Sequence, residues 1–524
     1  MKTKWISVVL VVALTIGLWG VAGCTRHEKK KETQNPVSEE NAGGVLLAKA
    51  GKPGEKGKQV TGDFIAAMAG GKMAKEILQT KLPGNRVYSP ITLSMMMAML
   101  TDASSGQARQ EILKLMGWKS LEDVKKQVRS VYAAANRKTE NGETRMANAI
   151  WLRDDESYHE EKIAELADDF FADSFSGKMG SAEYDKFHQT WLNEQTKDLL
   201  SDEVKKMNFI ETQKIALSCA GYFRQQWPEK MDLIKKNFFW GRTGATMVDM
   251  LEKEDTMPFY RGENYKAVGL PFHNGFVFWL FLPDSEYSVE DVLVDNRYLS
   301  IMKGEIEPED TDAKMVVRFP KFDITTSLDA AKGIANQSYL QIFDDRGAFR
   351  ELTDGMMYVS GIPHATRILV DEYGATAATF AEAELKGAYM PEDAEYFICN
   401  RPFFYAIADE NGMVYYEGIM QQGEKITDTE VKIRQPIVKV NGQIYVKTDE
   451  VAKVTCGTAD GRIRWSEEPG KVPINDDSSN FGEGYRYQYA DEHHLSVEID
   501  GIWYAFERVS DISTLYYKTN EDEK

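Results

Sequence analysis

Seven histidines in 524 residues leave few candidates for a general base. Ser89 and His364 are the first pair to consider for nucleophilic catalysis. No G-x-S-x-G elbow presents a serine, however, and no pattern sets a carboxylate beside the two. No phosphate-binding loop, no G-x-G-x-x-G between strand and helix and no H-E-x-x-H occurs. Neither Cys nor His residues stand at metal-ligand spacing. The acidic run from Glu305 to Asp312 lacks the glycine and spaced ligands of a calcium loop and reads as a solvated loop. The expectation is a chain that is not an enzyme and uses no metal or cofactor.

The chemistry left is mechanical. A strand-like apolar run ends at Val370 and continues Asp371-Glu372-Tyr373-Gly374-Ala375-Thr376-Ala377-Ala378-Thr379-Phe380-Ala381-Glu382-Ala383. Strand side chains alternate between faces. Alternate positions from Ala375 to Ala383 hold Ala, Ala, Thr, Ala and Ala, so one face is entirely small, with Phe380 and Glu382 on the other. Such a strand can slide between two existing strands above a packed core, which tolerates little added volume. Gly374 supplies a backbone hinge closed to most residues. Ala also has the highest helix propensity, and an Ala-rich surface helix is the other reading of these residues.

The rest of the chain must supply the sheet. Apolar residues make up 43% and charged residues 28%, an ordinary globular composition, and the length suggests more than one domain. The net charge of −19 argues against nucleic acid, which demands basic patches, and fits a self-repelling surface protein. From about residue 60 helical patterns come first, around Phe64–Leu78 and Ser94–Leu100. Strand-like runs follow at Ile215–Phe223, Lys266–Pro271, Val277–Leu282 and Lys314–Phe319. Phe403–Ile407 and Met413–Ile419 flank an Asn-Gly turn. This order predicts an α+β domain over 60–422. After a polar linker at 423–432, two hairpin signals, Asn441-Gly442 and Asp500-Gly501, predict a small all-β module over 433–510, with a tail at 511–524. Phe481, Tyr485, Tyr487 and Tyr489 in that module could form an exposed aromatic face or pack its core.

At the other end, Lys2 and Lys4 precede an apolar run from Ile6 to Leu18 and then Val21-Ala22-Gly23-Cys24. This is the pattern of a secretory signal over 1–23. Cys24 after small residues resembles the lipobox of bacterial lipoproteins. That implies cleavage before Cys24, acylation of its thiol and anchoring on the outer face of the cell membrane by two acyl chains. Polar residues 24–59 read as a flexible tether, with one short apolar piece at Val45-Leu46-Leu47. Cys219, Cys399 and Cys456 are widely spaced, so no disulfide framework is expected.

The segment Glu372-x-Gly374 followed by small residues resembles the hinge of serpins. Other patterns of that family occur in order. Asn85-Arg86-Val87-Tyr88-Ser89-Pro90-Ile91-Thr92-Leu93-Ser94 is similar to its second-helix start. Ala147-Asn148-Ala149, Ala220-Gly221-Tyr222-Phe223 ending at Trp227, Leu280-Phe281-Leu282-Pro283, Phe319-Pro320-Lys321-Phe322 and Asn400-Arg401-Pro402-Phe403 match further strands. The resemblance covers about residues 60–422. It implies helices plus three β-sheets with an exposed reactive loop, and suicide inhibition of a serine-type protease, with cysteine proteases as a further class. The cut loop would enter the main sheet and trap the protease.

By the same resemblance, Glu372, Gly374, Ala375, Ala377, Thr379 and Ala381 form the hinge. Trp227, Lys321 and Glu372 form the "breach" at the top of the sheet. Ser89, Thr92 and His364 form the "shutter" that controls its opening. The usual spacing puts the reactive bond at Ala388–Tyr389, which favours elastase-like or subtilisin-like enzymes; a cut at Lys386 would instead favour trypsin-like ones. A monomer is implied. The alternative within the family is a non-inhibitory surface binding or carrier protein. Two departures stand out: Cys219 replaces the shutter asparagine, and Gln225 replaces a glycine before the tryptophan.

Overall fold

The computed structural model describes residues 43–52, 62–344, 347–375, 394–423, 431–433, 436–452, 458–467, 472–499, 501–509 and 516–518. The chain opens with β1 (Val45–Ala48), α1 (Gly71–Ile77), β2 (Arg86–Tyr88) and α2 (Pro90–Ala103). Then come α3 (Gly106–Met116), α4 (Leu121–Ala135), β3 (Arg137–Thr139), β4 (Gly142–Arg153), α5 (Glu160–Asp169), β5 (Ala172–Gly177) and α6 (Ala182–Thr196). Strands dominate next: β6 (Ile215–Gln226), β7 (Asp232–Gly241), β8 (Gly244–Arg261), β9 (Tyr265–Pro271) and β10 (Val277–Pro283). They continue with β11 (Asp310–Pro320), β12 (Phe322–Asp329), β13 (Pro363–Asp371) and β14 (Gly374–Ala375). The domain ends with β15 (Glu395–Ile398), β16 (Phe403–Ala408) and β17 (Val414–Met420).

Two sheets sandwich the core. The first runs β1-β5-β4-β6-β14-β13-β12, with β3 on β4. The second runs β15-β11-β8-β9-β10-β16-β17-β2, with β7 on β8. Between them lies α2, whose residues are all buried except Met96. Its start is fixed locally: the Ser89 hydroxyl accepts the Thr92 N–H at 3.4 Å, and Pro90 occupies the first helical position, where its missing N–H costs nothing. Such a helix has no polar face because sheet or helix covers every side of it.

The first sheet carries the site. β6 pairs antiparallel with β4 from Gly142↔Gln225 to Leu152↔Ile215, and β13 pairs with β12 from Phe322↔Val370 to Asp329↔Pro363. Among the described residues β6 and β13 do not pair with each other; both pair with β14 between them.

Val45–Ala48 lies inside the segment read as flexible tether, yet it forms the edge strand β1, antiparallel to β5. The apolar Val-Leu-Leu run gives it strand character, and Asp173 fastens its end, accepting from the Lys49 ammonium at 2.8 Å and the Ala50 N–H at 2.9 Å. Among the described residues no helix is long and apolar enough to cross a membrane. The signal segment and Cys24 lie outside the described residues.

The carboxy-terminal residues form β18 (Val431–Ile433), β19 (Ile437–Val440), β20 (Gln443–Val451), β21 (Gly461–Arg462), β22 (Trp465–Ser466) and β23 (Ser478–Ser479). β24 (Arg486–Tyr489), β25 (His494–Ile499), β26 (Ile502–Arg508) and β27 (Tyr516–Lys518) follow. One sheet runs β21-β24-β25-β26-β20-β19-β23-β22, and β18 pairs with β27. Asn441 (φ 48°) and Gly442 (φ 73°) make the tight β19–β20 turn, whose two central residues both need positive φ. Val438, Val440, Tyr445, Ile463, Tyr487, Leu495, Val497 and Phe506 form the core of this sheet, and Phe481, Tyr485 and Tyr489 pack against them. The four aromatic side chains singled out above therefore serve packing.

Candidate functional site

At the top of the first sheet the chain turns out of β13 and back into β14. Asp371 holds the turn: one carboxylate oxygen accepts the N–H groups of Tyr373 (2.9 Å) and Gly374 (3.1 Å). Trp227, just past β6, donates its indole N–H to the Asp371 carbonyl at 2.9 Å and its backbone N–H to that of Tyr373 at 3.0 Å. The indole stacks on Phe272 with centroids 4.2 Å apart. Lys321, between β11 and β12, pairs with Glu372 at 2.7 Å. Burial raises the Glu372 pKa, but the Lys321 hydrogen bond and charge outweigh it and the net shift is downward. Trp227, Lys321 and Glu372, remote in sequence, thus close around one turn.

Gly374 comes close to the β6 backbone. At its φ of 157° an added Cβ would run into the Gln225 carbonyl oxygen, so only glycine fits this crossing. Ala375 pairs with Gln225 on one side and Val370 on the other, and is fully buried with its side chain in the main core. Gln225, where the family has glycine, is buried, and its side-chain oxygen accepts from Asn274 at 2.7 Å.

Lower in the sheet, His364 of β13 reaches the start of α2. Its Nε2 accepts the Ser89 N–H at 3.1 Å, so that nitrogen carries no proton and the Thr366 hydroxyl, 2.8 Å away, donates to it as well. The Thr92 hydroxyl donates to the Ser89 carbonyl at 3.1 Å, and its methyl group would lie 3.1 Å from a Cβ added at Gly221 on β6, a tight fit. Burial pushes the His364 pKa down to about 4. Between about pH 6.5 and 4 the unfolded chain therefore takes up a proton that the folded protein refuses, and stability falls as pH falls through that window. A shift of this size corresponds to about 3 kcal/mol. The opposite contribution comes from Glu417, buried among Tyr88, Tyr298 and the Gly70 N–H, whose pKa burial holds up at about 7. The difference between the parent and His364→Gln therefore isolates the histidine. Urea unfolding from pH 7.5 to 4 should lose stability more steeply in the parent, and equal slopes would refute this account.

A family model described as Serpin (serine protease inhibitor) matches residues 67–420. The chain belongs to the serpin family. Serpins are generally protease inhibitors and not enzymes, although some are non-inhibitory. Serpin-Z2A of Triticum aestivum is 23% identical over 359 residues, covering 64% of this chain and 89% of that protein. Native tengpin, a thermophilic serpin of known structure, matches with TM-score 0.62 at 21% identity over 72% of this chain and 100% of its own. Human thyroxine-binding globulin matches with TM-score 0.58 at 16% identity over 69% and 99%. The fold is thus the α+β serpin fold, followed here by a further all-β region.

The structure brings Trp227, Lys321 and Glu372 together around the turn between β13 and β14, and Ser89, Thr92 and His364 together at the start of α2. Gly374 and Ala375 lie in β14. Ala377, Thr379, Ala381, Lys386, Ala388 and Tyr389 lie outside the described residues. Two contributors escaped the sequence reading. Asp371 caps the hinge turn, and an acidic residue two before Tyr373 and three before a glycine is a signal that could have found it. Thr366 completes the histidine's contacts, and its place two residues along the same strand face was the available clue.

Proposed function

We propose that this serpin is inhibitory, and that severing its loop lets the amino-terminal part enter the first sheet between β6 and β13 with the bound protease attached. The observation that carries the reading is the position of β14: Ala375 already sits between those strands with its side chain in the core. A chain continuing in this register would turn Ala377, Thr379 and Ala381 to the same face, and none of them is large or charged. Residue 379 would lie beside Gly221 and Thr366, and residue 381 beside Cys219 and His364. The small face and the shutter would then meet. The reading further places the cut at Ala388–Tyr389, takes elastase-like or subtilisin-like enzymes as targets, and puts a monomer on the outer cell face through lipid on Cys24.

The test is incubation of the full chain with elastase, subtilisin and trypsin, followed by a denaturing gel and mass mapping of the cut. A complex stable to denaturant, with the new terminus at Tyr389, is expected with elastase or subtilisin. Clean cleavage without any complex would refute inhibition.

A second reading, a carrier or surface binder, is favoured by a cleft of about 460 Å³ beside the breach, lined by Trp227, Met231, Met257, Tyr260, Leu270 and Trp279. Its size and apolar lining suit a small ligand, and its Trp227 wall also anchors the hinge turn.

A further inference from the structure

The chain leaves the serpin fold at the turn between β7 and β8 and is tied there. The Gln422 side-chain oxygen accepts from the Thr243 N–H (3.2 Å) and hydroxyl (2.6 Å). Its amide donates to the Gly244 carbonyl (3.0 Å) and the Thr246 hydroxyl (2.6 Å). The carboxy-terminal sheet then packs on the same hairpin. Ile437, Ile444, Val446 and Val472 share one apolar cluster with Phe238, joined by the partly buried Trp240, Ala245 and Met247. Lys439 lies over the Trp240 ring, 5.5 Å from its centroid, and donates to the Ile474 carbonyl at 2.7 Å.

Trp240 also faces the root of the loop. Its backbone N–H donates to the Asn400 carbonyl at 2.7 Å, and the Cys399 N–H donates to the Arg318 carbonyl of β11 at 2.8 Å. Asn400 comes two residues after β15, the strand that ends the reactive loop. A continuous set of contacts therefore runs from the carboxy-terminal sheet through Trp240 to β15.

We infer that the carboxy-terminal β-region is a brace that holds β15 in place and so prevents the uncut loop from entering the first sheet. The argument rests on the insertion proposed above and on chain length. Continued from Ala375 opposite Gln225, the register places residue 385 opposite Ile215 at the far end of β6. Residues 386–394 alone would then have to climb back to Glu395. At about 3.3–3.6 Å per residue these residues span no more than the strand they must climb, which rises about 3.3 Å per residue. Nothing is left for the reversal. Full entry of an intact loop thus requires β15 to peel from β11, where Glu395↔Met315 to Ile398↔Arg318 pair in parallel. A cut loop carries no such requirement. Every contact that fixes Asn400 and the hairpin beside it opposes that peeling.

The test compares the full chain with Met247→Glu, which puts a charge into the shared cluster from the serpin side, and with Lys439→Ala, which removes the contact over Trp240 and leaves both cores intact. Each is held at 37 °C without protease. At intervals the fraction whose loop is still cut by excess subtilisin within 376–393 is measured. Both variants should lose the cuttable loop at least 10-fold faster than the parent, and unfolding followed by refolding should restore it. The inference is overturned if the variants stay cuttable for as long as the parent while hydrogen exchange at Ile437–Val440 shows the interface loosened. It is equally overturned if exchange shows no loosening and both variants still fade faster. The readout is cutting and not complex formation, so a parent that is cut without trapping would refute inhibition and leave this comparison standing.

Discussion

Ala377→Glu should be cut in the loop as fast as the parent and yet retain no protease. If the cut loop enters in the register of Ala375, residue 377 would fall opposite Phe223 of β6 and Ile368 of β13, which are 2% and 1% exposed. A carboxylate there would enter the core with no partner. An unpaired buried charge costs at least several kcal/mol, comparable with the driving force of the insertion itself. The ratio of covalent complex to cleaved inhibitor should fall at least 100-fold, while thermal unfolding of the uncut variant stays that of the parent. Thr376→Glu, which strand alternation would turn to the opposite face after insertion, is the control and should trap normally. Equal trapping by Ala377→Glu and the parent would sink the insertion mechanism.

The second large effect is on stability. A single cut within 376–393 by any enzyme that does not stay bound should raise the unfolding temperature. About a dozen residues joining a sheet, at roughly 0.5–1.5 kcal/mol net per hydrogen bond, yield on the order of 10 kcal/mol. That rivals the whole stability of a typical domain and, for a domain of this length, corresponds to a rise of roughly 13 °C. Calorimetry before and after the cut reads it directly. The rise should be absent in cut Ala377→Glu, and its absence in the cut parent would mean that the uncut fold stores no such energy.

What the sequence disclosed depended on how local its cause was. The β19–β20 turn was legible because its Asn-Gly pair dictates its own backbone, and the longer β16–β17 turn because it combines Gly412 at positive φ with an Asp409 carboxylate that accepts the Asn411 and Met413 N–H groups. The small face of 375–383 was legible because alternation is a property of any strand. The pairing of Lys321 with Glu372 came only through family resemblance, since fifty intervening residues separate the partners and neither type is unusual on a surface. Thr366 was missed because its partner His364 gains its role only when the distant start of α2 is brought to it, whereas Asp371 carries a local capping signal that the apolar run before it and the hinge after it overshadowed. The docking of the carboxy-terminal sheet on β7–β8 was invisible for a related reason: Phe238, Trp240 and Met247 read equally well as ordinary strand residues until a second sheet covers them.

Cys219 offers an unplanned gauge. It is a free, partly buried thiol on β6 whose pKa burial raises, so it is scarcely ionised at neutral pH and should alkylate slowly. It lies along the same strand face as Gly221, under which α2 begins, so reagent access depends on how far the neighbouring strands part. Cys399 is also free but fully buried, and serves as an internal blank. The mass tag accumulated at the first thiol relative to the second would time the breathing of the unmutated protein, with no protease added.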